Sequence, residues 1–139
     1  MFTLAVMNKW KLFIPFFILI CASCKSPNNE MVPAENGLDA GREFIDGCLK
    51  GDFIKADFYM LQDELNVQFL KSTEATFRER DKEGRQQLRL ASINIKSVLE
   101  PTDSTVELLH SNSYDTSQKK LFIIHRNNKW QVDYKKSFK

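Results

Sequence analysis

The sequence predicts an α+β domain in which helices come first and an antiparallel sheet follows. Three observations carry this. Apolar residues recur at helical spacing from Leu38 to about Phe77, the period falls to two after about Leu90, and Asn127-Asn128 sits between two alternating runs as a two-residue hairpin turn. Helices followed by an antiparallel meander make a sheet with helices packed on one face.

From Leu38, the residues Phe44, Ile45, Cys48 and Leu49 form one helical face, and Gly51 stands where a helix end often needs a left-handed residue. Asp52 is placed as the N-cap of a second helix, with Phe53, Ala56 and Met60 along one stripe. A third helix starts near Asp63. Its stripe is Leu65, Phe69, Thr73 and Phe77, widened by Val67 and Leu70. The mixed-charge run Arg78 to Arg85 reads as a solvated helix end, because alternating signs cancel rather than build a field.

In the first strand Ile93, Ile95 and Leu99 alternate with Asn94, Lys96 and Glu100, and Pro101-Thr102-Asp103 closes it as a turn. Val106, Leu108, His110, Asn112 and Tyr114 face one way in the second strand. Asp115 to Gln118 makes the next connection, and Leu121, Ile123 and His125 share a face in the third strand. The Asn-Asn turn then sets His125 opposite Trp130, Ile123 opposite Val132 and Leu121 opposite Tyr134. Val98, Leu109, Phe122 and Ile124 fall on the second face, which is therefore not wholly polar; a loop, the N-terminal tether or a partner subunit is expected to cover it.

Ahead of the domain, Met7-Asn-Lys-Trp-Lys precedes an apolar stretch from Leu12 to Cys21, then Ala22, Ser23 and Cys24. A positive start, an apolar run of about ten residues and a small-residue exit make a secretory signal, too short for a bilayer span. Pro15 weakens a simple membrane helix further, and Met7 is the better start of the signal than Met1. The exit resembles the lipobox of bacterial lipoproteins, in which the cysteine after the small residues is acylated and becomes the mature N-terminus. By that resemblance Cys24 is the lipidation site, although Cys21 stands where the family usually has Leu. The chain then divides into a signal at residues 1–23, a flexible tether at 24–37 and a single domain at 38–139.

At 139 residues, the length suits one domain of modest core. The formal net charge of +2 is the contribution of Lys9 and Lys11, so the body is neutral and lacks the basic excess of a nucleic-acid binder. Only Cys48 remains as a thiol in the exported part, which therefore has no internal disulfide and reads as a small buried residue rather than a catalytic thiol. There is no phosphate loop, nucleophile elbow, zinc-cysteine pair or calcium loop. No cofactor and no metal are expected.

The run Phe44 to Asn66, FIDGCLKGDFIKADFYMLQDELN, with a third helix, a meander and the closing NNKWQVDYKKSF, resembles lipoprotein-borne domains of the nuclear-transport-factor-2-like superfamily. The superfamily, shared with ketosteroid isomerase and SnoaL-type cyclases, wraps a curved sheet around helices as a cone. The resemblance covers Leu38 to Phe138 and implies a pocket between helices and sheet. It does not place the acid or histidine of the enzyme branches on any residue here.

The candidate pocket group is His110, His125, Tyr114 and Trp130. One register of the second connection sets the two histidines directly opposite one another, and a register shifted by two sets His125 against Leu108. A base or a weak metal site is one use of such a pair, but a closed metal site needs a third ligand that the spacing does not supply. The expected function is non-catalytic binding by a lipid-anchored envelope protein, on the periplasmic side of the outer membrane. The partner is a small apolar ligand in the pocket, or a second copy or another envelope protein docking on Val98, Leu109, Phe122 and Ile124. The rival readings are an isomerase- or hydratase-like enzyme with a pocket histidine as base, and a scaffold or spacer subunit. Replacing Cys24 by Ser is expected to abolish incorporation of labelled palmitate; incorporation that persists in the variant takes the lipidation role from Cys24.

Overall fold

The computed structural model of the protein describes residues 30–138. The expected signal, its expected cleavage motif, Cys24 and the first part of the expected tether lie outside the described residues. Among the described residues four helices precede the sheet: α1 (Gly37–Lys50), α2 (Phe53–Phe58), α3 (Glu64–Glu79) and α4 (Lys82–Leu90). The strands are β1 (Ile93–Thr102), β2 (Thr105–Asn112), β3 (Lys119–Arg126) and β4 (Lys129–Val132), and a 3-10 turn at Tyr134–Phe138 ends the domain. The sheet is an antiparallel meander in the order β1-β2-β3-β4, so the α+β reading holds.

Side-chain caps start each helix. Asn36, Asp52, Asp63 and Asp81 each accept from a backbone N–H three residues on, satisfying one of the donors that a helix start leaves without a partner. Asn36 is a cap and Gly37 is buried in the first turn, so the last residues of the stretch expected as tether belong to the fold. The Tyr59 hydroxyl pins it further, donating to the Val32 carbonyl at 2.7 Å.

Gly51 ends α1 in the left-handed region at φ 75°, and its N–H returns to the Gly47 carbonyl. Asp81 is where the sequence reading falls short. What reads as one solvated helix end is a break at Arg80 and a fourth helix, whose residues are nowhere fully buried and whose apolar signal is correspondingly thin.

Helix α1 lies across all four strands. Phe44 and Ile45 join Val106, Leu108, Leu121, Ile123 and Val132 in the core, each at most 5% exposed. Helix α3 packs on α2 and on the C-terminal turn, and α4 packs on α1. The free edge of β4 is shielded by the chain after α2. The Val132 N–H donates to the Tyr59 carbonyl at 2.8 Å and the Leu61 N–H to the Val132 carbonyl at 2.9 Å, a parallel bridge centred on Met60. Fully buried Asn66 ties the same corner, donating to the Leu61 carbonyl at 3.0 Å and accepting from the Lys135 N–H at 2.7 Å.

The Asn127-Asn128 turn forms as expected, with φ of 50° and 59°, and pairs His125 with Trp130 and Ile123 with Val132. Leu121 does not pair with Tyr134. After Val132 the chain leaves the sheet, and Tyr134, Ser137 and Phe138 are spaced for a helical turn instead.

Gly47 packs α1 against α2 so closely that a Cβ would lie 2.9 Å from both the Ala56 nitrogen and the Asp52 carbonyl oxygen. These are backbone atoms that cannot step aside. Gly47→Ala gains up to about 1 kcal/mol of helix propensity but meets an overpacking cost of about 1–3 kcal/mol. Urea unfolding is therefore expected to show a net loss of stability.

Candidate functional site

A pocket of about 400 Å3 opens between α1, α3, the C-terminal turn and the His110 end of the sheet. Its apolar wall is built from Phe44, Leu49, Phe77, Leu121 and Phe138. Aromatic contacts run through the wall from α1 to α3. Phe44 meets Tyr134 edge-on at 4.8 Å, Tyr134 meets Phe138 edge-on at 5.0 Å, and Phe138 stacks on Phe69 at 4.4 Å with an interplanar angle of 7°. The Tyr134 hydroxyl reaches Thr73 Oγ1 at 2.9 Å. Because Thr73 gives its own proton to the Phe69 carbonyl at 3.0 Å, Tyr134 is the donor.

The polar groups of this pocket divide into two sets. At the mouth stand Arg80, Tyr114, Asp115 and Lys119. Asn112 shapes that corner with an Asx turn, its Oδ1 accepting from the Tyr114 N–H at 3.0 Å and the Asp115 N–H at 2.7 Å. Inside are His110 Nδ1 and Ser137 Oγ. Both atoms are buried, and neither has a hydrogen-bond partner among the described residues. Native interiors leave few polar side-chain atoms in that condition, since the desolvation cost is about 1–3 kcal/mol each.

Electrostatics fix the protonation of the interior. Burial, with a smaller push from Lys119, lowers the His110 imidazole from 6.5 to about 4, so it is neutral at neutral pH. Burial raises the Cys48 thiol to about 12, which leaves it a thiol rather than a nucleophilic thiolate. Tyr134 is likewise raised to about 12, by burial first. Asp115 is held well below the usual carboxylate range by the Lys119 ammonium at 2.8 Å and by the Ser117 hydroxyl and N–H.

The sheet register corrects the expected histidine pair. His110 lies opposite Lys119, Leu108 opposite Leu121 and Val106 opposite Ile123, so neither proposed register occurs. Strand β2 ends at Asn112, so Ser113 and Tyr114 join the expected Asp115–Gln118 connection and β3 moves along β2; the His125 N–H donates to the Ser104 carbonyl beyond the far end of that ladder. Six residues of strand separate Lys119 from His125, roughly 20 Å at 3.3 Å per residue. His110 and Tyr114 share the pocket. His125 is exposed, its ring 4.8 Å from that of Trp130, and Trp130 borders a separate cleft of about 270 Å3 with Pro33, Ala34 and Tyr59.

Val98 is corrected too. A β-bulge at Lys96 inserts one residue between Ile95 opposite His110 and Ser97 opposite Leu109, which reverses the facing of everything after it. Val98 thereby joins the face of Leu108, and Leu99 takes its place outside, opposite Glu107. Leu109, Phe122 and Ile124 do lie on the outer face, each half-buried. The Lys120 side chain crosses that face, its Nζ 3.4 Å from Glu107 and 5.7 Å from the Phe122 ring centre.

Sequence reasoning misses Ser137, Phe138 and Arg80 as pocket residues. The first two carry a signal, because Tyr134, Ser137 and Phe138 follow the i, i+3, i+4 spacing of a helical turn. Among the described residues no three acidic, histidine or cysteine side chains gather as metal ligands, and no helix is long and apolar enough to cross a membrane. Comparison with known proteins finds no matching family model, no matching curated protein and no matching solved structure.

The lowered imidazole makes stability depend on pH in a window of its own. Between 6.5 and about 4 the unfolded chain binds a proton that folded His110 does not, so stability falls as pH drops through that range. Urea midpoints measured from pH 7 to pH 4.5 are expected to decline in the native chain and to decline less in His110→Gln. Equal declines in both would take the pH dependence away from His110.

Proposed function

We propose that the protein is a non-catalytic binding domain, carried by an acylated N-terminal cysteine at the cell envelope, whose pocket takes a small and mainly apolar ligand. The observation that carries this is the pocket itself: about 400 Å3, walled by aromatic and aliphatic side chains, with two buried polar atoms, His110 Nδ1 and Ser137 Oγ, that no described protein group satisfies. A small-molecule site typically has this size and consists of apolar walls with a few convergent polar groups.

The cone of the nuclear-transport-factor-2-like superfamily remains the fold reading that suits this arrangement. The parallel bridge between Met60 and Val132 supports it, because it folds the chain between the second and third helices back beside the last strand. The envelope address rests on the N-terminal sequence alone.

Binding is favoured over catalysis by the same chemistry. A general base works best with a pKa near the working pH, and His110 at about 4 is a weak one. His125 stands outside the pocket, and Cys48 is protonated. Docking through the outer sheet face has less support than ligand binding, since Lys120 and Glu107 already cover part of its apolar surface.

A neutral fluorescent probe, N-phenyl-1-naphthylamine, tests the reading. It is expected to brighten with the native chain and to raise its melting temperature, as any ligand selective for the folded state does. Thr76→Trp places an indole at the pocket wall from an exposed position on α3, and is expected to abolish the response while leaving the melting temperature without probe nearly unchanged. No brightening with the native chain, or undiminished brightening in Thr76→Trp, contradicts an apolar ligand in this pocket.

A further inference from the structure

The charges around the pocket mouth do not balance. Lys119 is matched by Asp115 at 2.8 Å, and Lys120 is matched by Glu107 at 3.4 Å on the other face of the sheet. Arg80 has no carboxylate within ion-pairing distance among the described residues. Its guanidinium lies 5.7 Å from the Tyr114 ring centre, and its Nη1 donates a long bond of 3.4 Å to the Tyr114 hydroxyl. The neutral imidazole inside adds no charge. One cation is thus left over at the entrance to a pocket whose walls are mainly apolar. A guanidinium offers paired N–H groups in a plane, which suits the two oxygens of a carboxylate.

Resting on the binding function proposed above, we infer that the ligand is a single-chain amphiphile ending in a carboxylate. Its chain lies between α1 and the C-terminal turn, and its carboxylate sits at Arg80, flanked by Tyr114 and Lys119. The volume limits the chain. At about 400 Å3 the pocket lies at the small end of small-molecule sites, which suits one short alkyl chain with its head rather than a larger lipid. The charge limits the head. A monoanion cancels the surplus of Arg80, whereas a phosphate dianion would leave a net negative charge beside Asp115.

Arg80 is exposed, so its contribution is expected to be modest and screened by salt. A chain placed in this way also brings a ligand to the buried imidazole. Because the protein has only two histidines, labelled His110 and His125 give two separable sets of ring signals.

The test uses the full chain in lipid nanodiscs, dialysed against fixed free concentrations of octanoate or its uncharged methyl ester, with histidine-labelled NMR as the readout. Octanoate is expected to half-saturate the change in the His110 ring signals at about fivefold lower free concentration than the ester, in low salt. High salt is expected to shrink that ratio. Arg80→Gln is expected to remove it while leaving the ester's midpoint in place. Equal midpoints for the two ligands in the native chain overturn the carboxylate assignment and leave the apolar pocket standing. Equal weakening of both ligands in Arg80→Gln overturns it as well, since Arg80 would then act by packing. If neither ligand moves the His110 signals, the pocket reading fails and the carboxylate inference fails with it.

Discussion

The position of helix α1 on the sheet determines the rest of the structure. The face that α1 turns to the sheet begins with small residues and continues with larger ones. Gly37, Ala40 and Gly41 stand at its start, where a Cβ on Gly37 would come within 2.5 Å of Val106 and one on Gly41 within 3.0 Å of Leu108. Phe44, Ile45, Cys48 and Leu49 follow. Small residues let a helix and a sheet approach closely and large ones hold them apart, so the helix rests on the sheet as a wedge. The pocket lies at the wide end. The Tyr134–Phe138 turn spans the remaining gap between α1 and α3, with Tyr134 against Phe44 and Phe138 against Phe69.

This geometry explains why His110 differs from His125. Both sit on the face of the sheet that carries the core, but His110 lies at the wide end, under the helix and 7% exposed. Burial there keeps the imidazole neutral, and the wedge leaves its Nδ1 without a protein partner among the described residues. At the narrow end the core is closed by Val106 and Gly37, and His125 is left outside, with Trp130 beneath it. A single difference in helix spacing thus separates a buried polar group in a binding pocket from a surface aromatic pair. The mouth is electrostatically tight except at Arg80, because Lys119, Asp115 and Ser117 satisfy one another.

Much of the architecture was legible in the sequence, because the signals were local. The Asp52 cap, the left-handed Gly51 and the Asn127-Asn128 turn each depend on a few adjacent residues, and each forms where the chemistry requires. The features that escaped depend on counting or on weak contrast. One inserted residue at Lys96 reverses Val98 and Leu99, and no pattern of alternation reveals a bulge whose neighbours are all partly exposed. The histidines do not pair because the register between β2 and β3 follows from where β2 ends, at Asn112, which local alternation does not mark. Helix α4 buries no residue fully, so its periodicity is faint. For the site, strand alternation places His110, whereas Tyr114 reaches the pocket from the bend after β2, and Arg80 and Ser137 belong to a helix break and a 3-10 turn that alternation does not show.

Ligand binding in this fold depends on whether the gap beneath the second half of α1 is open. Xenon binds empty apolar cavities without needing polar contacts, so a crystal of the protein under xenon pressure measures the gap directly. The account predicts xenon between Phe44, Leu49, Phe77 and Phe138, with the Tyr134–Phe138 turn in place. A collapsed interior, with α3 and the C-terminal turn packed onto Leu121 and no xenon among those side chains, would contradict it.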